Sequence, residues 1–251
     1  MRLPIDTQAL PLSTRWSLYA LGSVGGSRIN SPLDQVAAWV LRTHPELTPL
    51  STNEALGGIR TRTHLIDAFI LEEAERARLE GRTLSFWSLG SGFDARWWRQ
   101  LPHLDDVITR YIEVETASVL AIKDLLLRTS PFELAWSQVS LREEDLEQWC
   151  AEPEPDNRAL IVAEGLPERL ELEEIAELLQ RLHQHVPDAT VILDAPISRV
   201  AWSRGLLRTL GWTVAAEHHL RPCAPLIARD GREICPGVHP VRLQRLVPHR
   251  G

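Results

Sequence analysis

Residues 84–96 read LSFWSLGSGFDAR. An apolar run reaches Leu89 and gives way at once to Gly90 and Gly92, with Asp94 and Arg96 on the next turn. Glycine belongs where the backbone must bend through conformations that a Cβ resists, or where another group must come close. A buried strand that ends in such a turn and opens onto a helix predicts an α/β sheet, whose ligands sit at the carboxyl ends of the strands. This stretch therefore sets the fold reading.

Working outward, apolar runs and helical patterns alternate. The runs predict strands near 84–89, 109–114, 159–163, 190–194, 213–218 and 241–247. Helical periodicity predicts helices near 31–44, 65–81 with a stop at Gly81, 94–100, 117–128, 171–185 and 200–210. Strands separated by helices imply βαβ units and a mainly parallel sheet with helices on both faces. No repeat or low-complexity segment interrupts the 251 residues, and the irregular Ser-, Pro- and Gly-rich residues 1–30 precede the regular part. Residues 1–58 are expected to form an N-terminal helical or lid segment, and 59–251 one domain.

Composition narrows the classes. With 44% hydrophobic and 24% charged residues the chain reads as an ordinary globular protein. No apolar run approaches the roughly 20 residues that cross a bilayer, and residues 1–16 lack the apolar stretch of a secretory signal. A cytoplasmic location without membrane attachment is the expectation. The net charge of -7 argues against nucleic acid as a partner, since phosphate binding needs clustered cations. The three cysteines, Cys150, Cys223 and Cys235, show no metal-ligand spacing, so reduced thiols and no metal site are expected.

The Gly-x-Gly pair alone fits nicotinamide, flavin or S-adenosylmethionine binding, and also a plain tight strand–helix joint. Two details weigh against a dinucleotide. The third glycine of that fingerprint is missing, because Asp94 and Ala95 stand in its place, and Asp94 brings a negative charge where a pyrophosphate would lie. About twenty residues on, YIEVET (111–116) ends the second predicted strand with Glu113 and Glu115. An acid there can accept both hydroxyls of a ribose.

The order of motifs resembles the leucine carboxyl methyltransferase family, a branch of the class I methyltransferases that use S-adenosylmethionine. Four stretches carry the resemblance: IRTRTHLIDAFI (59–70), WSLGSGFDARWWR (87–99), IEVETASVLAIK (112–123) and VAEGLPERLELEEIAELL (162–179). It implies a Rossmann-like α/β fold with a mostly parallel seven-stranded sheet, and S-adenosylmethionine as cofactor. By the same resemblance Arg62, with Arg60 beside it, would bind the methionine carboxylate. Gly90, Ser91 and Gly92 would lie against the amino-acid moiety, Glu115 would hold the ribose, and Glu164 would face the ammonium or sulfonium. Asp94 and Arg96 read as an internal ion pair that shapes the loop.

Three positions depart from the family pattern. Glu115 replaces an Asp. Ser140 and Leu141 stand where an Asp-Leu pair follows the third strand and contacts adenine. Pro167, Glu168, Arg169 and Leu170 replace a Tyr-Leu ending on the acceptor side, which implies a different acceptor.

The expected reaction is methyl transfer to a carboxylate or hydroxyl of a small molecule or peptide, in specialised biosynthesis. A carboxylate needs no base, whereas a hydroxyl benefits from one, usually His. His218 and His219, near the end of a predicted strand, are the catalytic candidates. A homodimer is among the expectations. The competing readings are a carbon or nitrogen acceptor, a non-catalytic relative that serves as a binding partner, and a nicotinamide oxidoreductase.

Overall fold

The computed structural model describes residues 42, 53–92, 94, 96, 104–129, 139–142, 157–166, 170–196, 203–220, 226–227, 233–235 and 241–249. In chain order these give α1 (Asn53–Glu80), β1 (Thr83–Leu89), β2 (Ile108–Glu115), α2 (Ala117–Thr129), β3 (Val139–Arg142) and β4 (Asn157–Ala163). Then come α3 (Leu172–His185), β5 (Thr190–Pro196), α4 (Arg204–Thr209), β6 (Trp212–Leu220), β7 (Leu226–Ile227), β8 (Glu233–Cys235) and β9 (Val241–Pro248). Seven strands form one mixed sheet in the order β3-β2-β1-β4-β5-β9-β6. The first five pair in parallel, and β9 runs against both β5 and β6. The chain is thus α/β, and β7 and β8 make a separate small antiparallel pair.

The central strands bury both faces, which is why they read as continuous apolar runs rather than alternating ones. From β1, Leu84 and Phe86 join Ile66, Phe69 and Ile70 of α1 on one side. Trp87 and Leu89 join Ile175, Leu179 and Leu182 of α3 on the other. Helix α2 lies on the α1 side through Lys123, the chain's single lysine, which is buried in an ion pair with Glu113 of β2. Among the described residues no helix is long and apolar enough to cross a membrane.

Helix α1 stops where glycine predicts. Gly81 adopts φ 65°, and the N–H groups of Gly81 and Arg82 reach back to the carbonyls of Arg78 and Ala77. Its start differs: the helix is already formed at Asn53, twelve residues before the expected 65, and runs through the expected boundary at 58/59. Gly57, Gly58 and the threonines weaken local helix propensity, so contacts to distant strands, described below, hold these turns. Strand β3 escaped the periodicity reading because four residues are too few to show alternation. The expected helices near 31–44 and 94–100 fall outside the described residues, apart from Arg42, Asp94 and Arg96.

In β6 a register shift between Val214 and Ala216 disturbs the pairing with β9. Val214 packs on the α3 side and Ala216 on the α1 side, so the bulge switches the face that each later residue presents.

Candidate active site

Strand β1 ends at Leu89, and the chain turns through Gly90 at φ 61° and Gly92 at φ 49°, left-handed values that favour glycine. The N–H groups of Gly90 and Ser91 donate to the Val114 carbonyl at 2.8 and 3.3 Å, which straps the turn to the end of β2. Glu115 completes the strap. One carboxylate oxygen accepts from Gly92 N–H at 2.9 Å and the other from Thr116 N–H at 2.8 Å. Glu115 is 4% exposed. Each oxygen keeps a further lone pair for a ligand hydroxyl.

Beside Glu115 opens a cavity of about 420 Å³. Leu89, Gly90 and Val114 line it on the sheet side, Leu166 and Leu170 after β4, and Leu178 with Arg181 from α3. Glu174 and Glu177 of α3 line it as well, and its size and mainly apolar walls suit a nucleoside-sized ligand. Ser91 adds an Oγ that is buried without a hydrogen-bond partner.

Next to the glycine turn, three strand ends and α1 meet in a buried charge network. Arg62 donates from Nε to Glu164 at 2.9 Å and from a terminal nitrogen to Asp194 at 2.7 Å. Arg96 contacts Asp67 and Asp94, both at 3.0 Å, and also Glu164. Ser88 of β1 donates to Asp94 at 2.9 Å, and Gly165 N–H donates to Asp194 at 2.7 Å. Two guanidiniums thus face four carboxylates, an excess of two negative charges among the described residues. Burial works to raise the Glu164 carboxyl, but the Arg96 and Arg62 guanidiniums outweigh it and hold the group below the usual carboxylate range. Burial likewise opposes the charge on Arg96, yet Asp94, Glu164 and Asp67 keep it well above its ordinary value.

The expected site residues are distributed as follows. Gly90, Ser91, Gly92 and Glu115 come together at the β1–β2 edge, and Arg62 meets Glu164 one strand away. Arg60 lies on α1, but its side chain is outside the described ones. Ser140 and Leu141 lie within β3, level with Glu113 and Val114, rather than after the strand. The ion pair of Asp94 with Arg96 forms, and Arg96 also reaches Glu164.

The two histidines do not act together. Neighbours in a strand point to opposite faces. His218 stacks on Phe69 of α1 at 5.3 Å between ring centroids, while His219 meets Glu217 on the other face at 3.1 Å. Moreover β6 stands three strands from β4, roughly 14 Å at ordinary strand spacing.

Sequence reasoning missed Asp194, which is fully buried between Arg62 and Gly165. A signal existed: Asp194 closes the apolar run VIL (191–193) just as Glu115 closes β2.

A family model described as leucine carboxyl methyltransferase matches residues 21–183, well over half of the chain. The chain belongs to the leucine carboxyl methyltransferase family. The glycine turn, Glu115 and the cavity beside them fit S-adenosylmethionine as a cofactor. No curated protein matches the sequence. Solved structures resemble it at a distance. LepI in complex with S-adenosylmethionine shares 12% identity at a TM-score of 0.43, over 66% of this chain and 43% of that one. The methyltransferase domain of bacterial CtHen1 shares 12% at 0.46, over 76% of this chain and 99% of that one. A precorrin-6y C5,15-methyltransferase from Geobacter metallireducens shares 14% at 0.40, over 66% and 80%. The chain thus spans under half the length of the LepI protein it resembles.

Proposed function

We propose that this family member, with a Rossmann-like fold of the class I type, transfers the methyl group of S-adenosylmethionine to an oxygen of a small molecule or peptide. The observation that carries the reading is Glu115: a buried carboxylate at the end of β2, bonded to the glycine turn and facing a cavity of nucleoside size. Glu115 would accept the ribose hydroxyls, and the turn at Gly90, Ser91 and Gly92 would receive the amino-acid part. The excess of carboxylate over guanidinium around Glu164 and Asp194 favours the sulfonium and ammonium. Arg62, whose guanidinium carries five N–H groups, would take the methionine carboxylate.

When bound, the cofactor supplies an electrophilic methyl group. The chain's own task is to hold the acceptor oxygen about 3 Å from that carbon and in line with sulfur. A carboxylate acceptor arrives as an anion. A hydroxyl acceptor would lose its proton to solvent or to a carboxylate of the charge network.

A second reading, a binding protein without catalysis, is favoured by Arg62 and Glu164 bonding to each other. Calorimetry with S-adenosylmethionine and its demethylated product, followed by incubation with labelled cofactor and candidate acceptors, separates the two. Micromolar binding of both ligands with label transfer supports the enzyme. Binding without transfer to carboxylate or hydroxyl acceptors supports the binding protein, and no binding removes both.

A further inference from the structure

Arg242 opens β9 at the carboxyl edge of the sheet, level with Ala195 of β5 and His219 of β6. Its Nε is buried and has no hydrogen-bond partner. No described carboxylate lies within ion-pair reach of it. This is unusual for a partly buried guanidinium, because burying charge without a partner is costly. The nearby acids are engaged elsewhere. Directly opposed residues share a face, so Asp194, level with Leu243, points to the α1 side and bonds Arg62 there.

On Arg242's own face Glu217 is committed three times. It accepts from Gln244 at 2.5 Å, meets His219 Nε2 at 3.1 Å, and lies 3.8 Å from Arg204 of α4. The Gln244 hydrogen bond, opposed by burial and aided by His219 and Arg204, holds the Glu217 carboxyl below its usual range. Glu217 therefore remains an anion that anchors the His219 ring by Nε2, and leaves Nδ1 directed elsewhere. His219 is itself largely exposed. The result is a guanidinium that no described carboxylate pairs with, next to an anchored imidazole, both on one face and at one level of the sheet.

We infer that Arg242 and His219 form an oxyanion-binding site at the β9–β6 corner, which takes a carboxylate or phosphate group. Resting on the methyl-transfer reading above, this group is the distal acid of the acceptor. The corner lies two to three strands from Glu164, so the acid sits on the order of 10–14 Å from the methylated oxygen at ordinary strand spacing. Bidentate geometry makes arginine suited to such a group. Arg204 is held by Glu217 and plays no direct part.

The test uses the full chain and two probes, inorganic phosphate and benzoate, at ionic strength held constant with chloride. The His219 ring signal, assigned by its absence in His219→Gln, is followed by NMR during titration. Saturable movement with either probe is expected, weakened at least tenfold in Arg242→Gln and retained in part in Arg242→Lys, which keeps the charge and guards against a folding defect. No saturation with either probe, or equal saturation in Arg242→Gln, overturns the site. Calorimetry with S-adenosylmethionine runs alongside and is expected to be unchanged in Arg242→Gln. If the anion binds but the cofactor does not, the oxyanion site stands and the methyl-transfer reading falls. If the cofactor binds and the anion does not, the reverse holds.

Discussion

Glu115 holds two backbone N–H groups at once, and its extra methylene over Asp is what lets it reach Gly92 while keeping Thr116. Glu115→Ala leaves the buried Gly92 N–H without a partner, about 1–3 kcal/mol, and removes the ribose acceptor. Calorimetry is expected to show S-adenosylmethionine affinity down by more than ~100-fold, or about 2.7 kcal/mol, with the circular dichroism of the fold kept. Unchanged affinity would remove Glu115 from the ribose role. Gly211 makes a second single-residue case. It sits at φ 88°, and a Cβ built there comes within 2.5 Å of the His183 ring. Gly211→Ala combines a left-handed backbone cost of about 1–2 kcal/mol with displacement of a ring packed edge-on to Trp212. A Tm lowered by roughly 4–10 °C follows for a chain of this size. Adding His183→Ala should recover only the steric share; full recovery would show that the backbone carries no strain.

At the scale of elements, helices are attached to the sheet by charge as well as by apolar contact. Lys123 of α2 and Glu113 of β2 are 1% and 0% exposed by side chain and pair with each other. Lys123→Met strands a buried carboxylate and is expected to cost about 3–5 kcal/mol by urea denaturation. Pairing it with Glu113→Leu should restore most of that loss, since a buried ion pair and an apolar pair of similar volume are often near-equal. A double variant as unstable as the single one would mean that the pair has a role beyond mutual neutralisation. Helix α1 follows the same logic at its other end. Its early turns contain two glycines, and the Arg62 bonds to Glu164 and Asp194 span 102 and 132 residues of sequence. The sequence pattern therefore placed the helix start at 65, where local propensity begins, whereas the described helix is already formed at Asn53.

Across the whole molecule the charge network links α1, β1, β4 and β5, so its protonation bears on global stability. The folded Glu164 carboxyl lies below its unfolded value because Arg96 and Arg62 overcome the effect of burial. Its contribution is therefore complete above the unfolded value near ~4.3 and is lost as pH falls toward the lower folded value. Thermal melts from pH 7 down to 3 are expected to fall more steeply for the wild type than for Glu164→Gln. Parallel curves would exclude Glu164 as a source of acid sensitivity.

The sequence by itself determined the α/β class, most strands, the glycine turn and the acid that follows β2. These are carried by contiguous residues: an apolar run, a turn that needs positive φ, and a strand-end carboxylate 23 residues on. Only the tertiary structure decided what those residues meet. It brought Asp194 against Arg62, gave Arg96 a second carboxylate in Glu164, and turned His218 and His219 to opposite sides of an edge strand beyond β9. It also left Arg242 at a corner where no described acid answers it. The physical reason is that face and neighbour in a sheet depend on strand order and register. A bulge of one residue in β6, or the insertion of β9 between β5 and β6, changes both without changing any local pattern.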